Sequence, residues 1–189
     1  MKNGLTTLIA IAALLSAPSV FAQGAGIEWD ILNDEVKELY RTGEYARAVV
    51  VGKKALKVAE EIVGPDHPNV ATSLNNLALL YHTQGEYAAA EPLYKRAINI
   101  VEEALGPDHP DVAIDLNNLA ELYRIQGEYA VAEPLYKRAL SINEKALGPD
   151  HPYVATSLNN LAGLYRATGR ILEAQQLEKR AGLSDKSQE

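Results

Sequence analysis

The sequence predicts an all-α fold in which about four antiparallel helix pairs stack into a superhelical array. Three observations carry this expectation. The chain matches itself at a fixed offset of 42 residues, a period that means stacked repeats. Each copy holds two apolar stripes at helical spacing. A Gly follows each stripe, at the place where a helix stops.

Residues 1–22 precede the array. Lys2 is followed by an uncharged, mostly apolar stretch from Leu5 to Leu15, then Ser16, Pro18 and the pattern Val20-Phe21-Ala22. A charged start, an apolar middle too short to span a membrane comfortably and a small-residue end form a secretory signal peptide. The expectation is cleavage before Gln23 and an exported protein, periplasmic or secreted, with no stable membrane span afterwards. Loss of this segment takes the formal net charge from −7 to −8, because it carries Lys2 and no acid. An acidic chain argues against nonspecific nucleic-acid binding, which needs a basic footprint. Zero Cys excludes disulfides, thiolate zinc sites and Cys nucleophiles together.

Residues 23–28 read as a short linker. The array follows over residues 29–181, in repeats of about 29–68, 69–110, 111–152 and 153–181, and residues 182–189 read as a flexible tail. The two middle copies differ at 11 of 42 positions. In the first helix of the second repeat, Val70, Leu74, Leu77, Ala78 and Tyr81 fall on one face, and Gly85 ends the pattern. In its second helix, Ala90, Leu93, Tyr94, Ala97, Ile98, Val101 and Leu105 form another stripe, which Gly106 and Pro107 stop. Pro110 suits the first turn of the next helix, where its missing N–H has no intrahelical partner. Pro92 lies near the start of its helix, so its cost is modest. Neither helix buries its stripe alone, whereas a stack of pairs does. Ala78, Ala90 and Ala97 let helices approach closely. The end repeats depart from the pattern, with Glu35 where later copies have Leu and a polar last helix at Glu173, Gln175, Gln176, Glu178, Lys179 and Arg180. In the first repeat two registers stay open. A gapless one places Tyr40 opposite His82, and a one-residue gap aligns Leu39-Tyr40 with Leu80-Tyr81.

The stretch LNNLALLYHTQGEYAAAEPLYKRAINIVEEALGPDHP, Leu74 to Pro110, and its neighbours resemble the tetratricopeptide repeat in its 42-residue, kinesin-light-chain-like form. The spacing of Leu77, Ala78, Tyr81, Gly85, Tyr87, Ala90, Tyr94 and Ala97 sets it apart from HEAT and armadillo repeats, which the period alone would also fit. The resemblance implies a right-handed superhelix whose first helices line a concave groove that holds a peptide or a helix of another protein.

On a helical wheel, Thr72, Asn75, Leu79, His82 and Thr83 lie opposite the apolar stripe. Their counterparts are Ile114, Asn117, Glu121, Arg124 and Ile125, then Thr156, Asn159, Gly163, Arg166 and Ala167. The resemblance implies that these positions face the groove. Four of the five differ between the two middle copies, while none of the five stripe positions does. Asn stays at 75, 117 and 159 although it is a poor helix former. An amide both donates to and accepts from the backbone of a bound chain. The expectation is that Asn75, Asn117 and Asn159 hold a ligand backbone, with Leu79, His82, Glu121, Arg124 and Arg166 reading its side chains. Asn76, Asn118 and Asn160 are expected to form a ladder between repeats, a role open to the first three as well. His82, Arg124 and Arg166 make a basic row that suits an acidic segment, or that pairs with neighbouring acids such as Glu121.

His67, His109 and His151 recur at the repeat period, too far apart to share one metal ion. They read as parts of capping loops in which Asp serves the helix start. No nucleophile constellation, phosphate loop or zinc-helix motif is present, so neither an enzyme nor a cofactor is expected. The function expected is a non-enzymatic scaffold binding a protein or peptide in the groove. The alternative is a module that docks or forms a homo-oligomer through its ends, with Ile27, Trp29, Ile31 and Leu32 leaving an apolar front.

Overall fold

The computed structural model describes the backbone of residues 17–186 and the side chains of residues 26–182. Eight helices follow one another: α1 Ala17–Arg41, α2 Tyr45–Val63, α3 Pro68–Thr83, α4 Tyr87–Leu105, α5 Pro110–Ile125, α6 Tyr129–Leu147, α7 Pro152–Ala167 and α8 Ile171–Lys186. They form four antiparallel pairs. Residues 1–16 of the expected signal peptide lie outside the described residues. Two boundaries differ from expectation. Residues 23–28, expected as a linker, continue α1, and α8 runs through Gly182 into the expected tail as far as Lys186. Gly inside a helix costs only about 1 kcal/mol, so Gly24, Gly26 and Gly182 do not stop these end helices.

Within a repeat, the turn from first to second helix is a Schellman closure. Gly85 N–H donates to the His82 carbonyl at 3.0 Å and Glu86 N–H to that of Tyr81 at 2.8 Å. Gly85 sits at φ +77°, a backbone region that side-chain-bearing residues avoid. The same pattern at Gly43, where Glu44 N–H reaches the Leu39 carbonyl at 2.8 Å, settles the first repeat in the gapless register. Tyr40 therefore occupies the place of His82, and its ring meets Tyr45 as His82 meets Tyr87.

Between repeats, the helix start uses a different residue from the one expected. His67, His109 and His151 are the N-caps of α3, α5 and α7, each followed by Pro at the first helical position. Each Nδ1 accepts from a backbone N–H two residues on, at 3.1 to 3.2 Å. The imidazole, not the neighbouring Asp, satisfies one of the donors a helix start leaves open.

The core runs through the whole stack. Ala48, Ala90, Ala132 and Ala174 form one buried row, and Ala55, Ala97, Ala139 and Ala181 another. These small side chains let the two helices of each pair touch closely. Leu74, Leu116 and Leu158, with Val70, Val112 and Val154, fill the space between them. First helices of successive repeats approach backbone to backbone (α1 with α3, α3 with α5, α5 with α7), whereas the backbones of successive second helices stay farther apart and meet only through long side chains. The stack therefore curves with its first helices on the inner side.

Two outcomes test this packing. Ala139→Leu, which forces a branched side chain into a filled row, lowers stability by about 1–3 kcal/mol in denaturant unfolding. His109→Ala removes a cap and costs about 1 kcal/mol, while His109→Asn, with its acceptor at a similar reach, keeps most of that stability.

Candidate functional site

The concave face is built from the exposed and half-buried positions of α1, α3, α5 and α7. At its centre α5 presents Ile114, 38% exposed, and Ile125, 44% exposed. Leu79 is half-buried on α3. All three positions lie opposite the packed face, so their side chains are held by the helix and not by a loop.

The cations of this face are tied to acids. Arg124 forms a bidentate pair with Glu121, one turn earlier on α5, at 2.6 and 2.7 Å. Arg166 forms one with Glu178 of α8 at 2.6 Å. On α1, Lys37 pairs with Asp34 at 2.9 Å and Arg41 with Glu38 at 2.6 Å. Glu121 also accepts from the buried Tyr136 hydroxyl at 2.6 Å. Burial alone would push the Glu121 carboxyl up; its bonds to Arg124 and Tyr136 outweigh that and hold it below the ordinary value. His82 is shifted down, because burial disfavours its cation more than Glu121 favours it. The row His82, Arg124 and Arg166 is thus neutral or internally paired along its length.

The pairing changes its parts from repeat to repeat. In the third repeat the acid is Glu121 on the first helix, with Tyr136 beside it. In the fourth, Gly163 replaces Glu121 and Glu178 replaces Tyr136, so the acid comes from the second helix. In the second repeat Leu79 removes the acid and His82 removes the permanent cation.

The amides join repeats. Asn76 donates to Asn33 at 3.1 Å and Asn118 to Asn75 at 3.1 Å. Asn117 donates to Ser157 of the next repeat at 3.3 Å. So Asn75 and Asn117, expected to face a ligand, each give one end of the amide to the neighbouring repeat. The Asn75 amide nitrogen and the whole amide of exposed Asn159 make no such bond among the described residues. The Asn117 side-chain carbonyl oxygen also lacks a partner among the described residues, but it is buried.

The tetratricopeptide repeat profile matches three overlapping stretches, residues 39–103, 84–145 and 116–181. The chain belongs to the tetratricopeptide repeat family. Among solved structures it is similar to BtubC (BKLC) from P. vanneervenii, with a TM-score of 0.76 and 26% identity over 85% of this chain and 64% of that one. It is also similar to the nearly identical kinesin-light-chain TPR-like repeats from Podosopora anserina, with a TM-score of 0.69 and 22% identity over 93% of this chain and 88% of that one. Likeness at that identity speaks for the fold alone. A curated relative, the secreted RxLR effector protein RXLR-C07 of Plasmopara halstedii, is 36% identical over 69 residues, 36% of this chain. The chain spans about a fifth of that relative's length (21%) and less than two thirds of BtubC (64%).

Away from the concave face, these tetratricopeptide repeats are stapled by a residue that the sequence reading passed over. Arg96 of α4 meets Glu60 of α2 at 2.7 Å and the Pro65 carbonyl of the intervening loop at 3.1 Å. Arg138 repeats this with Glu102 at 2.6 Å and Pro107 at 3.2 Å. Arg180 likewise meets Glu144. A second set joins Glu91 to Tyr123 at 2.8 Å and Glu133 to Tyr165 at 3.1 Å. The signal was available as Arg at a strict 42-residue spacing. Among the described residues no three His, Cys, Asp or Glu side chains gather where a metal could sit.

The two buried tyrosines offer a matched test of the Glu121 network. Tyr136→Phe loses a bond to a charged acceptor and costs about 1.5–3 kcal/mol in equilibrium unfolding. Tyr94→Phe, at the same place one repeat earlier and without an acceptor among the described residues, costs less than half of that.

Proposed function

We propose that this tetratricopeptide array is a non-enzymatic, exported scaffold whose concave face holds an extended segment of a partner protein by its apolar side chains and backbone. The observation that carries this reading is the pairing of charges on that face. With Lys37, Arg41, Arg124 and Arg166 of this face already bonded to acids, the surface left to a ligand is Leu79, Ile114 and Ile125, flanked by the free amide groups of Asn75 and Asn159. Burying that apolar surface gives the affinity, and the amides fix the backbone.

An acidic segment would have to displace Glu121 or Glu178 from a bidentate pair, so the segment we propose carries apolar side chains and little net charge. Export rests on the pattern of residues 1–22 and on the likeness to a secreted effector. Among the described residues no helix is long and apolar enough to cross a membrane. Docking through the front is the weaker reading. Glu28, Glu35 and Glu38 of α1 are exposed where the later first helices bury Val70, Leu77 and Leu80. Leu32 is buried and Trp29 donates to Ser73 at 2.8 Å, which leaves only Ile27 and Ile31 of the expected apolar front exposed.

A displayed library of random linear peptides, selected on residues 23–189, tests the proposal. Enriched peptides are rich in aliphatic and aromatic residues and near neutral. Ile125→Asp, at an exposed position, leaves the helical circular-dichroism signal unchanged and weakens their binding by about tenfold or more, roughly 1.4 kcal/mol. Selection of predominantly acidic peptides, or binding indifferent to Ile125→Asp, would sink the reading.

A further inference from the structure

The joint between the second and third repeats contains a largely buried carboxyl that receives no hydrogen bond from any described residue. Asp115 is 5% exposed and has no hydrogen-bond donor among the described residues. Its counterparts one repeat before and after are served. Ser73 accepts from the Trp29 indole at 2.8 Å. Ser157 accepts from Asn143 at 3.0 Å and from Asn117 at 3.3 Å. In the middle joint Ala71 stands where Trp29 stands in the first, and Val101 where Asn143 stands in the third. Trp29 and Asn143 thus have no counterpart where the acceptor has become an acid, and Asn75, which stands where Asn117 does, makes no bond to Asp115.

No cation among the described residues pairs with Asp115, and His109 at the start of α5 lies 3.6 Å from the Asp111 carboxylate. Burial, then the negative charge of Asp111 one turn earlier on α5, pushes the carboxyl up to about 7. From α4 the group facing it is Tyr94, whose own hydroxyl is pushed up by burial and then by Asp115. On α3 the titratable side chains are Tyr81 and His82, and the charge His82 feels is that of Glu121. On the elements packed around it, Lys95 is bonded to Glu91, Arg96 to Glu60, Arg124 to Glu121, Lys137 to Glu133, Arg138 to Glu102, Lys145 to Asp108 and Arg166 to Glu178.

We propose that Asp115 is a protonation-dependent latch at the joint between the second and third repeats, which is tight when this carboxyl is neutral and loosens when it ionises. A neutral carboxyl packs in this joint at modest cost, whereas a buried carboxylate without a donor or a cation is strongly disfavoured. The folded chain therefore binds this proton more tightly than the unfolded chain does. Its stability is complete below the ordinary aspartate range. It declines as pH rises from there to about 7, and is level above that. The inference concerns the joint alone and stands whatever the concave face binds.

The test is thermal unfolding of residues 23–189 between about pH 5 and pH 8, with wild type, Asp115→Asn and Asp115→Ser compared. The serine variant restores the residue of the flanking repeats and carries the comparison if the asparagine variant does not fold. Differences between wild type and variant remove the titration of groups that do not interact with Asp115. The wild-type midpoint drops by about 5 °C more than either variant's across this range. Hydrogen exchange, corrected for its intrinsic pH dependence, rises with pH in α4 and α5 of the wild type only, and stays level in α7. Parallel midpoints in all three proteins overturn the proposal, as does an exchange increase spread evenly along the array.

Discussion

Everything in this array depends on the joint between neighbouring helix pairs. A pair covers only part of its own apolar surface, and the rest is buried by the next pair. The joint has three layers. The middle is apolar, made by Val70, Leu77 and Leu80 of α3 and their copies, and it supplies the free energy. On the inner side lie the amide bonds from Asn76 to Asn33 and from Asn118 to Asn75. On the outer side Arg96 and Arg138 tie a second helix to its predecessor and to the loop between. The outer ion pairs are partly exposed and contribute little net stability. Their value is geometric, because a sliding of one pair past the next would break the apolar fit, the ladder and the staple at once.

A nearest-neighbour architecture also means that a change on one side of a joint has to be answered on the other. The diverged positions show such answers. Trp29 meets Ser73, and Asn117 with Asn143 meets Ser157. On the concave side the loss of Glu121 at Gly163 is matched by the appearance of Glu178 against Arg166. Each answer gives the changed group a partner, since an unpaired buried one costs about 1–3 kcal/mol, although the side-chain carbonyl oxygens of Asn117 and Asn143 stay buried without one among the described residues. The ends are answered by solvent instead, and α1 carries Glu28, Glu35 and Glu38 where interior copies carry apolar residues.

Most of the architecture was legible because the signals are local and repeated. The 42-residue period, the Gly stops, the Pro at helix starts and the Ala rows each report on one helix or one turn. What escaped depends on contacts between helices. A single wheel gives a first helix one buried face, but these helices are buried on two, against their own partner and against the preceding repeat. Ser73, Asp115 and Ser157 belong to the second face and fell outside the stripe. The partner of Arg166 could not be read either, because Glu178 lies on the other helix of the pair. His109 was misread in favour of Asp108 because both types suit a helix start, and only the position of Nδ1 decides between them. Of the candidate site, Leu79, Glu121, Arg124 and Arg166 were placed opposite the packed stripe by pattern and toward a groove only by the family resemblance, while the pairing that cancels their charge was not legible.

That cancellation bears on what the groove can discriminate. The chain as a whole is acidic, at −7, yet the inner residues that vary most keep their charges matched. Variation there therefore changes shape while leaving the local charge nearly constant. The position shared by Leu79, Glu121 and Gly163 shows it. Leu79 is a bulky apolar side chain, Glu121 is held back against Arg124 and Tyr136, and Gly163 has no side chain at all. A Cβ built at Gly163 would meet nothing within 4 Å, so the fourth repeat has a recess where the second has a bulge. Under the proposed function, a groove of this kind would rank segments by where their large side chains fall along the array. On that proposal, charge would alter how fast a partner arrives, but the sequence of bulge, tied carboxylate and recess would decide which register of a bound segment fits.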